Sequence, residues 1–169
     1  MNALQHQILD PFVEETLAAL ATMADLAAQA GDPFEDSLSD FRFKGFAVAT
    51  EVDGAVPGTV LLHLYPETAT DVGQRVFARM TGSDAQDLAA DDLQTALNEW
   101  ANVLIGRATR SLEIAQLDVS FAPPVFVHDM RDMNALMTNV VEIISIPIHI
   151  PDAGRFYFNY LLHTKTGRN

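Results

Sequence analysis

The sequence predicts an α+β domain: a mainly antiparallel sheet with helices packed against it. Two observations carry this. Strand-like stretches come in neighbouring pairs joined by turn-forming residues, and helical periodicity is confined to three separate segments. No low-complexity tract or long linker divides the chain, so residues 1–169 read as a single domain of ordinary size.

The elements follow in order. Asp10-Pro11 has the form of an N-cap followed by proline at the first helical position. Phe12, Leu17, Leu20, Met23, Ala24 and Leu26 then recur near helical spacing until Gly31, so 1–31 is an N-terminal arm built on an amphipathic helix. Residues 32–40 read as a loop. Residues 43–51 form a strand, 52–55 a turn and 58–64 a second strand, together a hairpin. Pro66 opens a second helix that stops at Gly82. An acidic linker, 83–87, leads to the longest helix, 88–115. Residues 118–121 are extended, Pro123-Pro124 interrupts them, and 125–128 continue extended. Two last strands, 139–150 and 155–164, are joined by a Pro-Asp-Ala-Gly turn at 151–154.

Composition excludes several function classes. The 49% hydrophobic and 20% charged fractions are those of a globular protein. With no cysteine, disulfides, thiolate catalysis and cysteine–zinc sites are unavailable, which suits a cytoplasmic address. The N-terminus MNALQHQILDPFVEE lacks a basic n-region and a cleavage site, so it is not expected to be a signal peptide. No apolar run approaches the roughly 18 residues of a membrane span. The net charge of −13 repels phosphate backbones and anionic lipid, making nucleic acid and membrane poor partners. It serves solubility, or it favours a partner with basic residues at its contact site.

The long helix has two distinct faces. At about 100° per residue, Glu99, Asn102 and Gly106 all fall within roughly 40° of Thr95. Asp91, Asp92, Asn98, Thr109, Arg110 and Glu113 flank that side. Leu93, Leu97, Trp100, Leu104 and Ala108 form a core stripe opposite. A polar helix face is most simply a solvated one. Gly106 adds a further question, because glycine within a helix costs about 1 kcal/mol relative to alanine. Close approach of another molecule, packing within the chain, or drift would each account for it.

No other constellation stands out. His6, His63, His128, His149 and His163 are scattered without metal-ligand spacing. His63, His149 and His163 fall on strands and suit surface or satisfied core positions. There is no nucleophile elbow and no phosphate-binding P-loop. Asp84, Asp87, Asp91 and Asp92 lack the calcium-loop pattern and suit the solvated, electropositive start of a helix. Asp129 to Asp132 reads as a turn.

The line Thr95-x-x-x-Glu99-x-x-Asn102, with Pro123-Pro124 downstream, resembles the signature of the CheC/CheX/FliY chemotaxis phosphatases. The likeness extends to GTVLLHLYPETATDVGQRVFARMTG at 58–82, similar to the family's strand–helix unit, and to the paired C-terminal strands, covering 43–164. Only one Glu-x-x-Asn is present, on the central helix, which is the single-site, CheX-type pattern. Trp100 stands where smaller residues are typical and belongs to the core stripe. Thr95 stands where the family usually carries Asp or Ser, and it keeps a hydroxyl.

The resemblance implies a CheC-like fold with long helices on one face of the sheet. It implies a protein-aspartyl-phosphate phosphatase acting on a phosphorylated CheY-like response regulator in two-component signalling. Glu99 and Asn102 would be catalytic, and Thr95 and Gly106 would bind the partner. Asn102 would orient the attacking water, as a glutamine does in GTPases, and Glu99 would pair with a lysine of the regulator. No cofactor is expected on this chain, because the regulator supplies Mg²⁺. A homodimer joined at a sheet edge is implied, with strand 155–164 as one candidate edge. A non-catalytic adaptor for a regulator or a flagellar-switch component is the alternative. A structural dimer without a signalling partner is a third reading.

Overall fold

The computed structural model describes residues 2–83, 86–151 and 153–164. In chain order its elements are α1 (Ala3–Ala24), β1 (Gln29–Ala30), β2 (Phe34–Asp36), β3 (Phe46–Gly54), β4 (Gly58–Leu64), α2 (Pro66–Thr81), α3 (Ala90–Ile114), β5 (Val119–Phe121), β6 (Val125–Val127), α4 (Met130–Leu136), β7 (Val140–Ile150) and β8 (Gly154–His163). One sheet holds all eight strands in the order β1-β7-β8-β4-β3-β5, with β2 also on β7 and β6 also on β3. Every pairing is antiparallel.

Strand alternation separates the sheet's two sides. Val48, Val60, Leu62, Ile144, Ile146, Phe156, Phe158 and Tyr160 share one core with the buried positions of α1, α2 and α3. Phe12 of α1 reaches Phe158 at 5.8 Å and Phe121 at 5.3 Å between ring centroids. A fully buried Phe of this kind contributes roughly 1.5–3 kcal/mol. Opposite, Ala47, Ala49, Leu61, Ile143 and Leu161 pack under Phe41, Val127 and Met133, the last from α4. The three long helices therefore lie on one side, and a short helix with an ordered loop on the other.

That second side is fastened by polar groups. The Lys44 backbone N–H donates to His63 Nε2 at 2.8 Å, which leaves the neutral ring's proton on Nδ1. Asn159 Nδ2 donates to Ser145 Oγ at 2.6 Å, and Ser145 Oγ donates to Asp36 Oδ2 at 2.9 Å. Burial, aided by the Lys44 charge and opposed by an Asn159 hydrogen bond, lowers the His63 pKa to about 4. His63, Asn159 and Ser145 are all buried.

Several expectations need correction. The first helix starts not at Asp10 but at Ala3, where Asn2 and Gln5 form a reciprocal capping box. Pro11 is inside the helix, and the helix ends at Ala24 because Asp25 adopts a left-handed conformation. The loop at 32–40 contains β2, and β1 precedes it. Asp129 caps α4, accepting from the N–H groups of Arg131 and Asp132, so the expected turn opens a helix. Strand 155–164 is not an edge: β8 lies between β7 and β4. Asp84, Asp152 and the turn containing Asp152 fall at least partly outside the described residues.

Candidate functional site

Helix α3 forms from a sequence rich in Leu and Ala, both good helix formers. Asp91 and Asp92 occupy its first turn, where negative charge complements the helix dipole. No side chain caps the helix at Ala89, so these aspartates act by position in the field and not by hydrogen bonds to the cap.

The underside of α3 is fully committed. Leu97, Trp100, Ala101, Leu104 and Ala108 have no exposure, and Ala96, Ile105 and Leu112 complete the buried stripe. Trp100 meets Phe156 of β8 edge-on, with ring centroids 5.9 Å apart at 82°. Helix α2 comes close through Gly73, where any Cβ would run into the Leu93 and Leu97 side chains. Leu93 itself is half-buried in that contact. The helix is thus clamped in rotation as well as in position.

Its outer face carries Thr95, Glu99, Asn102 and Gly106, all exposed. Among the described residues, the side-chain hydrogen bond formed by this line is Thr95 Oγ1 donating to Asp91 O at 2.8 Å. The threonine proton is occupied, and its lone pairs remain available to an incoming donor. Among the described residues, the carboxylate of Glu99 and the carboxamide of Asn102 form no hydrogen bond or ion pair. A methyl group placed on Gly106 would meet no atom within 4 Å, so packing within the chain does not explain that glycine. The contrast with Gly73 is direct. One glycine accommodates a neighbouring helix, and the other leaves a notch open to solvent.

The four residues singled out in the sequence therefore come together on one exposed line. The arrangement offers an anionic group, a donor–acceptor amide and a gap beside them. It can grip a cation and orient a water, but it holds no nucleophile of its own. Among the described residues no group of three or more His, Asp or Glu is arranged to hold a metal. Among the described residues, one cleft of about 190 Å³ opens beside Leu93 and Gln94 between the start of α3 and β6, and Thr95, Glu99, Asn102 and Gly106 do not line it.

Residues 46–149 match the family model for the chemotaxis phosphatase CheX. No curated protein matches the sequence. Among solved structures, a chemotaxis protein CheX from Desulfovibrio desulfuricans superposes with a TM-score of 0.67 at 22% identity, covering 92% of this chain and 99% of that one. The CheX–CheY–BeF3–Mg²⁺ complex from Borrelia burgdorferi gives 0.67 at 20% identity, covering 93% and 98%. A CheC-like superfamily protein from Shewanella sp. PV-4 gives 0.71 at 16% identity, covering 97% and 100%. At these identities the likeness establishes the fold. No helix is long and apolar enough to cross a membrane among the described residues.

Proposed function

The chain belongs to the CheX family of chemotaxis phosphatases, and from that premise we propose that it hydrolyses the aspartyl phosphate of a CheY-like response regulator in the cytoplasm. The observation that carries this is the outer face of α3: Glu99 and Asn102 are exposed, aligned and unpartnered beside the Gly106 notch.

The chemistry needs little from this side. Water attacks phosphorus in line, the bond from phosphorus to the aspartyl oxygen breaks, and the regulator's carboxylate leaves as the displaced group. The water's proton ends on phosphate or solvent. An acyl phosphate is already labile, and a hundredfold acceleration requires about 2.7 kcal/mol off the barrier. Asn102 enters the regulator's pocket and fixes the water with its amide, its carbonyl oxygen accepting a hydrogen bond from the water or its NH2 donating one to the water's oxygen. Glu99, one turn back, pairs with a lysine ammonium of the regulator and sets the depth of insertion. Thr95 accepts a hydrogen bond at the rim, and the notch at Gly106 admits the regulator's backbone. Mg²⁺ comes with the regulator. The Borrelia CheX was crystallised with CheY, BeF3 and Mg²⁺, BeF3 being a stand-in for a phosphoryl group, and this supports the choice of partner.

The functional unit in this reading is a homodimer joined at a sheet edge. With β8 internal, the available edges are β5 and β6 on one side and β1 and β2 on the other.

The test is the decay of phosphorylated CheY-like regulators from the same cell, in Mg²⁺, with the wild-type chain and with Asn102→Ala. Faster decay that the variant abolishes while still binding is the expected result. Binding with unchanged decay would replace the phosphatase by an adaptor.

A further inference from the structure

We propose that residues 37–45 form a strap across the far face of the sheet that opens as a unit when His63 takes up a proton, while the helix side stays folded. The strap runs from the end of β2 to the start of β3 and contains no helix or strand. Its hydrogen bonds are almost all its own. The N–H groups of Asp40 and Phe41 donate to Ser37 O, Ser37 Oγ donates to Asp40 Oδ2, and the Arg42 guanidinium donates to Ser39 O and Phe41 O. At its start the Ser37 N–H donates to the adjoining Asp36. Among the described residues, the one hydrogen bond that reaches further into the fold is Lys44 N–H donating to His63 Nε2 at 2.8 Å. The strap's rings gather on the same imidazole. Phe43 stacks on it with centroids 5.9 Å apart and planes at 16°, and Phe41 meets it at 5.5 Å. Beneath them lies the second core, with Leu61, Ile143 and Leu161 as its floor. His63 is fully buried by this cover.

A single pin of this kind holds only while its acceptor is free. Nε2 accepts through its lone pair, and a proton there puts a second donor in place of the acceptor. The bond is lost, and a positive charge appears beside the Lys44 ammonium. That ammonium is itself held over the rings of Tyr157, Tyr65 and Phe41, at 5.1, 5.7 and 5.9 Å from their centroids. The surroundings do little to offset the new charge. The cross-strand row through His63 consists of Pro147, Tyr157, Ala47 and Val127, and its one titratable member is a phenol, which brings no charge in acid. Arg155, over the Tyr157 ring at 5.8 Å, is another cation. Asp36 accepts from Ser145 Oγ, and Asp40 is exposed and accepts from Ser37 Oγ. Asn159 favours the charged ring in part, against burial and Lys44, which together lower the His63 pKa from 6.5 to about 4. Uncovered, the ring meets water and regains its ordinary affinity for a proton. The strap is therefore shut at neutral pH, and acid favours the open form.

The experiment follows backbone amide exchange of the full chain by mass spectrometry between about pH 7 and about pH 4, expressed as protection factors so that the chemistry's own pH dependence drops out. Protection of 37–45 should begin to fall below about pH 6.5 and drop on the order of a hundredfold by about pH 4, while α1, α2 and α3 keep theirs. His63→Gln retains an acceptor for the Lys44 N–H and cannot be charged, so its strap protection should not change with pH. Lys44→Met keeps the backbone N–H and removes the ammonium, which should shrink the acid-induced fall several-fold because the charged ring is then penalised less. A strap whose protection is constant with pH would overturn the proposal, as would a strap that loses protection together with the helices. The same fall in His63→Gln as in the wild type would overturn it too. Should that variant not fold, Lys44→Met decides, since an undiminished fall there would also remove His63 as the trigger. None of these outcomes bears on the reading of α3.

Discussion

The two faces of α3 are made of neighbouring residues and answer to different demands. Trp100 and Glu99 adjoin in the chain, yet one is sealed against Phe156 and the other is exposed and has no partner among the described residues. The lower face is filled to the point where even Gly73 of the next helix has no room for a methyl group. The upper face is left open to the point where Gly106 faces empty space. A helix clamped so firmly from below holds its free side chains in fixed directions. Rigidity on one face is what preorganises the other.

That division can be broken most forcefully from below. Trp100→Ala should lower the unfolding free energy by about 3–5 kcal/mol, the usual cost of removing a large aromatic from a core, read as a lowered urea midpoint by circular dichroism. If the loss is much smaller, the lower face is not the clamp described. The far side of the sheet provides a second stability lever. Neutral His63 is favoured in the folded state, with a pKa of about 4 against 6.5 unfolded. The unfolded chain therefore binds more protons in that window. Stability should hold above about pH 6.5 and fall as pH drops toward 4, by about 3 kcal/mol, and His63→Gln should flatten the slope in urea titrations.

From above, the expected effects change in kind. Asn102→Ala should slow regulator dephosphorylation on the order of a hundredfold, about 2.7 kcal/mol, with an unchanged urea midpoint. A variant that lost both activity and stability would mean that the faces are not separable. The smallest effect is the sharpest discriminator. Gly106→Ala should raise stability by about 1 kcal/mol, since a helix favours alanine and nothing obstructs the methyl group. The same change should weaken regulator binding in calorimetry. Stabilisation without loss of binding would mean that the notch is drift.

What the sequence revealed follows the range of the interactions involved. The outer line of α3 was legible because helical spacing alone aligns Thr95, Glu99, Asn102 and Gly106, whatever the helix packs on. The hairpins β3–β4 and β7–β8 were legible because local turns join them. The place of β8 at the sheet's centre was not, since it depends on pairing Gly58 with Leu162 and Leu64 with Phe156 across the chain. β1 and β2 leave no mark in the sequence because they are two and three residues long and mostly exposed, so no alternation shows them. Asp10-Pro11 has the form of a helix start, but Asn2 and Gln5 cap the chain earlier. Ile8, Leu9 and Phe12 bury a continuous stripe through the proline, which offsets its missing hydrogen bond. The openness around Gly106 is a property of the packed fold, because a sequence cannot distinguish a glycine that touches a neighbour from one that touches nothing.

Trp100 has one more consequence. It is the only tryptophan in the chain, it is fully buried, and its indole N–H has no hydrogen-bond partner among the described residues. An indole in so apolar a setting emits toward the blue, and no second fluorophore of its kind dilutes the signal. Because it adjoins Glu99, its emission reports on the stretch of helix that carries the proposed contacts. A regulator without tryptophan could be titrated in unmodified form, and any tilt of α3 on docking would appear as a change in colour or intensity.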